Sequence, residues 1–213
     1  MKKFLSILVS CAMLFTFIPT SLAYDSAVSD EAQKEFYITP ETTIGELYRN
    51  TNPEEYAKFP EELKAILDTT LIPEANEDSR STNQGDGLMF KDASDNIEDV
   101  DTFNNRAVNY GKLMASTNSY NKGSFAYYAY IKMTEALKFI SISLTVYDTE
   151  TGKAVASDLS SDYDTAYHYL SGTASSLTSG RKYRCMFMAT GVPYDPSITI
   201  NPVDWVESYI TVK

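Results

Sequence analysis

Few side chains in this sequence could exchange a proton or attack a bond near neutral pH. His168 is the single histidine among 213 residues. A nucleophilic triad would have to be built on it, yet no Gly-x-Ser-x-Gly elbow occurs. Strand alternation puts His168 on one face with Ala166 and Leu170, the setting of a satisfied structural histidine. Cys185 sits among apolar residues and reads as a small buried hydrophobe rather than a reactive thiol. One histidine and one such cysteine cannot assemble a zinc site of several His or Cys ligands. There is no P-loop and no Gly-x-Gly-x-x-Gly fingerprint. Asp162 and Asp164 could share a strand face near a loop, and glycoside hydrolysis needs only two carboxylates, but nothing marks this pair above the other acids. The acidic run at 91–101, KDASDNIEDVD, lacks the alternating acids, central glycine and closing glutamate of a calcium loop and reads as a solvated acidic loop. The expectation is a non-catalytic protein with no cofactor and no metal.

What the sequence has in surplus is aromatic side chains: 16 Tyr, 10 Phe and 1 Trp. Their spacing lies mostly in segments that alternate with period two. FAYYAYIKM (125–133) places Phe125, Tyr127, Ala129, Ile131 and Met133 on one face, and LKFISISLTVYD (137–148) does the same with Ile140, Ile142, Leu144 and Val146. If those faces point inward, Tyr128, Tyr130, Phe139, Tyr147, Met186 and Met188 point outward. Trp205 and Tyr209 join them if Val206, Ile210 and Val212 face the core. An ordinary solvent face would carry Thr, Ser, Lys and Glu at such positions. Two coverings are open. One is the protein's own N-terminal part, whose Leu47, Tyr48, Tyr56, Phe59, Leu63 and Leu67 need a place to dock. The other is a ligand, a sugar or another protein's apolar patch stacked on the rings. The candidate binding residues are therefore Tyr128, Tyr130, Tyr147, Trp205 and Tyr209.

The elements that must carry these residues divide by charge. Residues 24–102 hold 20 acidic and 6 basic side chains, whereas 103–213 hold 9 and 10. The acidic part carries short helix signals. Thr43 with Glu46 forms a capping-box pattern, Asn52-Pro53-Glu54-Glu55 supplies a cap and a first-turn proline, and Pro60 interrupts before a short helix through about Asp68. Helices this short need something to pack on. Residues 73–87 read as a polar linker. The later part reads as strands: around 107–115, then 125–133, 137–148 with a hairpin loop over Asp148 to Gly152 into KAVAS, Tyr163–Leu170, Tyr183–Ala189 and Trp205–Val212. Arg181, Lys182 and Arg184 form one basic cluster at a strand start, read as a solvated edge that discourages strand pairing, with an acidic-leader contact as a second role.

The first 23 residues read as a secretory signal peptide: Lys2 and Lys3, an apolar run from Phe4 to Ile18, Pro19, and Ser21-Leu22-Ala23 as the cleavage site. Leu8-Val9-Ser10-Cys11 has a lipobox-like look, but the apolar run continues past the cysteine. No later run is long enough to span a membrane. With the signal removed, Cys185 has no intramolecular disulfide partner. The net charge of −11 argues against a nucleic-acid partner.

One local pattern carries a family resemblance. Leu177, Gly180, Tyr183, Cys185, Phe187 and Ala189 resemble the turn-and-strand signature of fibronectin type III and related immunoglobulin-like modules, in which a tyrosine corner buries its ring and bonds nearby backbone. The resemblance covers about 13 residues, or about 110 with the strand count included. It departs from the family in having no partner cysteine and in carrying its one tryptophan near the last strand. With the strand count and spacing, it implies a mostly β fold, a single antiparallel immunoglobulin-like β-sandwich of about seven strands, which the helix signals above place after a short helical or partly disordered N-terminal extension. The expected organisation is 1–23 signal peptide, 24–102 acidic leader with short helices and linker, and 103–213 sandwich. Modules of this kind mostly bind, space or connect. The expected function is a secreted extracellular binding module for a cell-surface or matrix glycan or protein. The alternatives are a self-associating structural matrix protein and a secreted protein with a removable acidic pro-segment.

Overall fold

In the computed structural model, residues 35–73, 83–91, 108–119, 121–194 and 198–213 are described. The segment read as a signal peptide, most of the segment read as a linker and the acidic run at 92–101 lie outside them. The helices are α1 (Ile44–Thr51), α2 (Pro53–Ala57) and α3 (Glu61–Leu67); the strands are β1 (Asn83–Gln84), β2 (Leu88–Lys91), β3 (Val108–Asn118), β4 (Phe125–Asp148), β5 (Ala154–Ala174), β6 (Lys182–Val192), β7 (Ile198–Asn201) and β8 (Val203–Thr211). The protein is mostly β and its sheet is antiparallel, in the order β1-β8-β6-β4-β3-β2-β7, with β5 pairing β4.

The backbone of the fold is one long hairpin. β4 and β5 pair from Phe125↔Ala174 to Tyr147↔Ala154, with a register shift between Lys132 and Leu137. The segments expected at 125–133 and 137–148 are thus one strand, and KAVAS and Tyr163–Leu170 belong to another. Thr134-Glu135-Ala136 contains no glycine, proline or asparagine to turn the chain back, so it forms a bulge. Opposite it, Asp164 takes a positive φ of 58°, a conformation Asp tolerates better than most residues. On the other edge of β4, β3 pairs with 126–133 and β6 with 139–148. The two halves of the hairpin therefore lead into different wings of the sheet. Inward residues are odd-numbered through Met133 and even-numbered from Ile140, as the bulge requires.

Both wings close on one core that includes Leu113, Phe125, Ile131, Ile142, Leu144, Cys185, Phe187 and Val206. Tyr127 ties the hairpin halves together: its ring lies over Gly172, where a Cβ would come within 2.4 Å of its hydroxyl, and that hydroxyl donates to Asp158. The ends of the strand order also approach each other, curling the sheet toward a barrel. Three residues join β1 to β2 and one joins β7 to β8. Across this seam the buried Asp204 accepts from Gly87 N–H at 3.0 Å and Leu113 N–H at 2.7 Å. Gly87 has φ +97° and a Cβ there would lie 2.5 Å from the Tyr110 ring, so a side chain is excluded.

The helices begin where the sequence signals lie, but of the three only α1 has a side-chain cap, and Asn52 makes no cap bond at the start of α2. Thr43 accepts from Glu46 N–H at 3.1 Å and Pro53 opens α2. They lie on the outer face of the β6–β8 wing, where Ile44, Leu47, Tyr48, Phe59, Leu63 and Leu67 share a second core with Phe139, Tyr147, Met186 and Met188. Phe59 meets Phe139 edge-on at 4.8 Å between ring centroids, and Tyr48 bonds Ser143 at 2.8 Å between hydroxyl oxygens. No helix of the described residues is long and apolar enough to cross a membrane.

Candidate functional site

The outer face of the β6–β8 wing is covered by the helices. The outer face of the other wing, built by β3, the first half of β4 and the second half of β5, has no such layer among the described residues. Pairing arranges it in rows. Met114, Tyr130 and Tyr169 lie side by side; Lys112, Lys132 and Tyr167 form the next row; Ser116, Tyr128 and Ser171 the one after on the other side. Each residue points outward because its neighbours along the strand, such as Leu113, Ala129, Ile131 and Leu170, are in the core.

Four tyrosines make a contiguous platform here. Ring centroids are 5.8 Å apart for Tyr128–Tyr130, 6.3 Å for Tyr130–Tyr167 and 6.3 Å for Tyr167–Tyr169, with interplanar angles of 39°, 36° and 32°. The Tyr128 and Tyr167 hydroxyls hydrogen-bond at 3.0 Å. Tyr128, Tyr167 and Tyr169 are 41%, 44% and 56% exposed, high for large rings on a sheet. The Tyr167 phenol is held above the ordinary tyrosine range, first by the bond to Tyr128 and then by burial. It is neutral at physiological pH and can donate or accept. Such a surface offers ring faces for stacking and hydroxyls for hydrogen bonds. It holds no group suited to attack or proton transfer near neutrality.

The other candidates fall elsewhere. Tyr147 is 3% exposed beneath the helices, with Arg184 over its ring at 5.7 Å, so it is a core residue and offers no contact surface. Trp205 is half-buried against the same helix-side core. Tyr209 is half-buried, with Lys182 Nζ 4.6 Å from its ring centre. Tyr130 is itself half-buried, like Trp205 and Tyr209; what sets it apart with exposed Tyr128 is that their rings adjoin on the face that no described helix covers. The basic cluster is engaged within the chain: Arg181 pairs with Asp148 and Glu150, while Arg184 pairs with buried Glu207 at 3.1 Å and donates to the Pro73 carbonyl at 2.9 Å. Tyr167 and Tyr169 escaped the sequence reading, although the face assigned to Ala166, His168 and Leu170 already turned them outward.

The residues weighed for catalysis lie in structural settings. His168 is buried, bonded to backbone at Ser160, and burial holds its pKa below the usual value. Burial pushes the Cys185 thiol up, the reverse of an activated thiolate. Asp164 accepts from the Tyr194 hydroxyl and Asp162 from Tyr163 N–H. Among the described residues no group of three His, Cys, Asp or Glu could hold a metal. A shallow depression between the helices is lined by Arg49, Tyr56, Lys64 and Asp68, but Asp68 already accepts from both Arg49 and Tyr56.

The Tyr183 hydroxyl accepts from Thr178 N–H at 2.9 Å while its ring is buried. No protein-family model matches the chain, and no curated protein matches it. Among solved structures it is similar to wild type OgpA from Akkermansia muciniphila, with 10% identity and a TM-score of 0.29. The match covers 73% of this chain and 38% of that one, so the chain spans well under half the length of that protein. A likeness that distant carries no argument about fold or activity.

Proposed function

We propose that the protein is a non-catalytic, secreted binding module that recognises a cell-surface or matrix glycan or protein through its tyrosine face. The observation that carries the reading is the contrast between two outward aromatic faces on one sheet. Helices cover the face bearing Phe139, Tyr147 and Met188, while exposed Tyr128, Tyr167 and Tyr169 with half-buried Tyr130 form a ring platform that no helix of the described residues covers. Contiguous exposed apolar surface of this kind is uncommon on a protein without a partner. The apolar run of the first 23 residues supports secretion. An immunoglobulin-like affinity belongs to the same proposal and is supported by the Tyr183 corner. The test is co-sedimentation of the protein with purified cell wall and a panel of insoluble polysaccharides, with surface-immobilised extracellular proteins run in parallel. Retention that survives moderate salt, and that Tyr167→Ala/Tyr169→Ala removes, supports stacking on this face. Retention unchanged in that variant overturns the assignment of the face.

A second reading, self-association, is favoured by one observation. Among the described residues, the one strand that β5 pairs with is β4. The N-terminal part of its free side meets the leader, where Ala154 N–H donates to the Phe36 carbonyl and Ser157 Oγ to the Thr51 carbonyl. Residues 165–174 lack such a cover among the described residues and present an edge that another chain could extend. Light scattering across a concentration series separates the readings: a strict monomer at high concentration removes this one.

A further inference from the structure

Resting on the binding-module reading, we infer that the ligand of the tyrosine face is an acidic polysaccharide, a chain of sugar rings bearing carboxylates. Residues 103–213, which build the platform, hold 10 basic side chains and 9 acidic ones. None of the acidic ones occupies an outward position in the three rows of the platform, which instead hold Lys112 and Lys132. These two lysines are direct cross-strand partners on the same exposed face. Like charges placed opposite each other across a ladder destabilise it, and a lysine–glutamate pair would have been the favourable choice here. Lys132 is in turn paired with Tyr167, so the positive charge adjoins the rings.

The combination selects the class of ligand. Tyrosine faces stack on the apolar faces of sugar rings, and phenol hydroxyls bond their hydroxyl groups. Two ammonium groups at one end of the same surface add attraction for a carboxylate on a neighbouring sugar. A neutral glycan would leave the lysine pair unused. Lys132 is paired directly with Tyr167, whereas Lys112 lies one strand further from the rings. Lys132 is therefore the more informative position.

The experiment compares polygalacturonate with the same polymer after chemical reduction of its carboxyl groups, a neutral galactan, in affinity electrophoresis with wild type, Lys132→Gln and Lys112→Gln/Lys132→Gln. Wild type is expected to bind polygalacturonate at least tenfold more tightly than the reduced polymer. Lys132→Gln should weaken the acidic ligand about threefold and the double variant about tenfold, as exposed ion pairs allow. Neither should change binding of the neutral one. Raising salt to about 1 M, where the screening length falls to about 3 Å, should bring the two polymers level. Equal binding of both polymers, or lysine variants indistinguishable from wild type on polygalacturonate, overturns the inference while leaving the binding-module reading intact. Loss of binding to both polymers in Tyr167→Ala/Tyr169→Ala alone would support that reading independently. Absence of any wild-type binding to either polymer overturns the acidic-polysaccharide assignment. The co-sedimentation panel then decides separately whether the module reading also falls.

Discussion

At the residue scale, the same side chain does opposite things on the two faces of one strand system. Tyr147 and Tyr128 are both outward tyrosines of β4, on either side of the bulge at 134–136, yet one is roofed by helices and the other is exposed. The difference is measurable. Tyr147→Ala removes a fully packed ring and is expected to cost about 3–5 kcal/mol in urea unfolding, in line with other large-to-small core changes. Tyr169→Ala removes a ring already half in water and should cost no more than about 1 kcal/mol by the smaller area involved. Comparable losses at both sites would contradict the assignment of one as core and the other as surface. The alternation of types made the outward set legible in the sequence, including Tyr128 and Tyr130. Which members were free was not legible, because burial of Tyr147 depends on where α1–α3 dock, and nothing in the local pattern of β4 records that. Tyr167 and Tyr169 were readable by the same alternation and needed only to be set beside Tyr130 by strand pairing.

At the scale of elements, the helices are a cover with little stability of their own. α2 has five residues and α3 seven, well below the length that holds in isolation. Their order comes from Tyr48, Phe59, Leu63 and Leu67 packed on Phe139 and Met188, with Tyr163 donating to the Lys58 carbonyl at 2.9 Å. Phe59→Ala should therefore cost about 3 kcal/mol or more. It should also open the apolar strand face, seen as a rise in fluorescence of a hydrophobic dye before global unfolding. A two-state loss of stability without such a rise would mean that helices and sheet unfold as one unit. Start signals made these helices readable: Thr43, Pro53 and Pro60 lie where the structure begins them. The single long hairpin was not readable as such. Residues 134–136 interrupt the alternation as a turn would, and only their lack of turn-forming residues distinguishes a bulge from a reversal.

At the scale of the whole molecule, the sheet is drawn toward closure by few interactions, and Asp204 is the most exacting of them. Its carboxylate bridges Gly87 and Leu113, and burial raises its pKa above the usual aspartate value while the backbone N–H groups oppose that rise. A raised folded pKa means that the carboxyl's contribution to stability is complete below about pH 4, the ordinary aspartate value, and is lost as pH rises through the raised value. Asp204→Asn can present only one acceptor and should lower stability at pH 4 by about 1–3 kcal/mol, with the gap to wild type narrowing toward pH 7. Parallel pH profiles would contradict this. The mostly β class and the placement of one core were legible from period-two segments, whereas β1, β2 and β7, together with the seam they form, were not. Those strands are 2, 4 and 4 residues long, too short to show a period. The claim on which the account turns is that the open tyrosine platform is a contact surface and carries little of the fold. The direct measurement is a paired one on Tyr167→Ala/Tyr169→Ala: thermal melting alongside co-sedimentation with cell wall and polysaccharides. The account predicts a melting temperature close to wild type and loss of sedimentation; a large fall in melting temperature, or sedimentation equal to wild type, would contradict it.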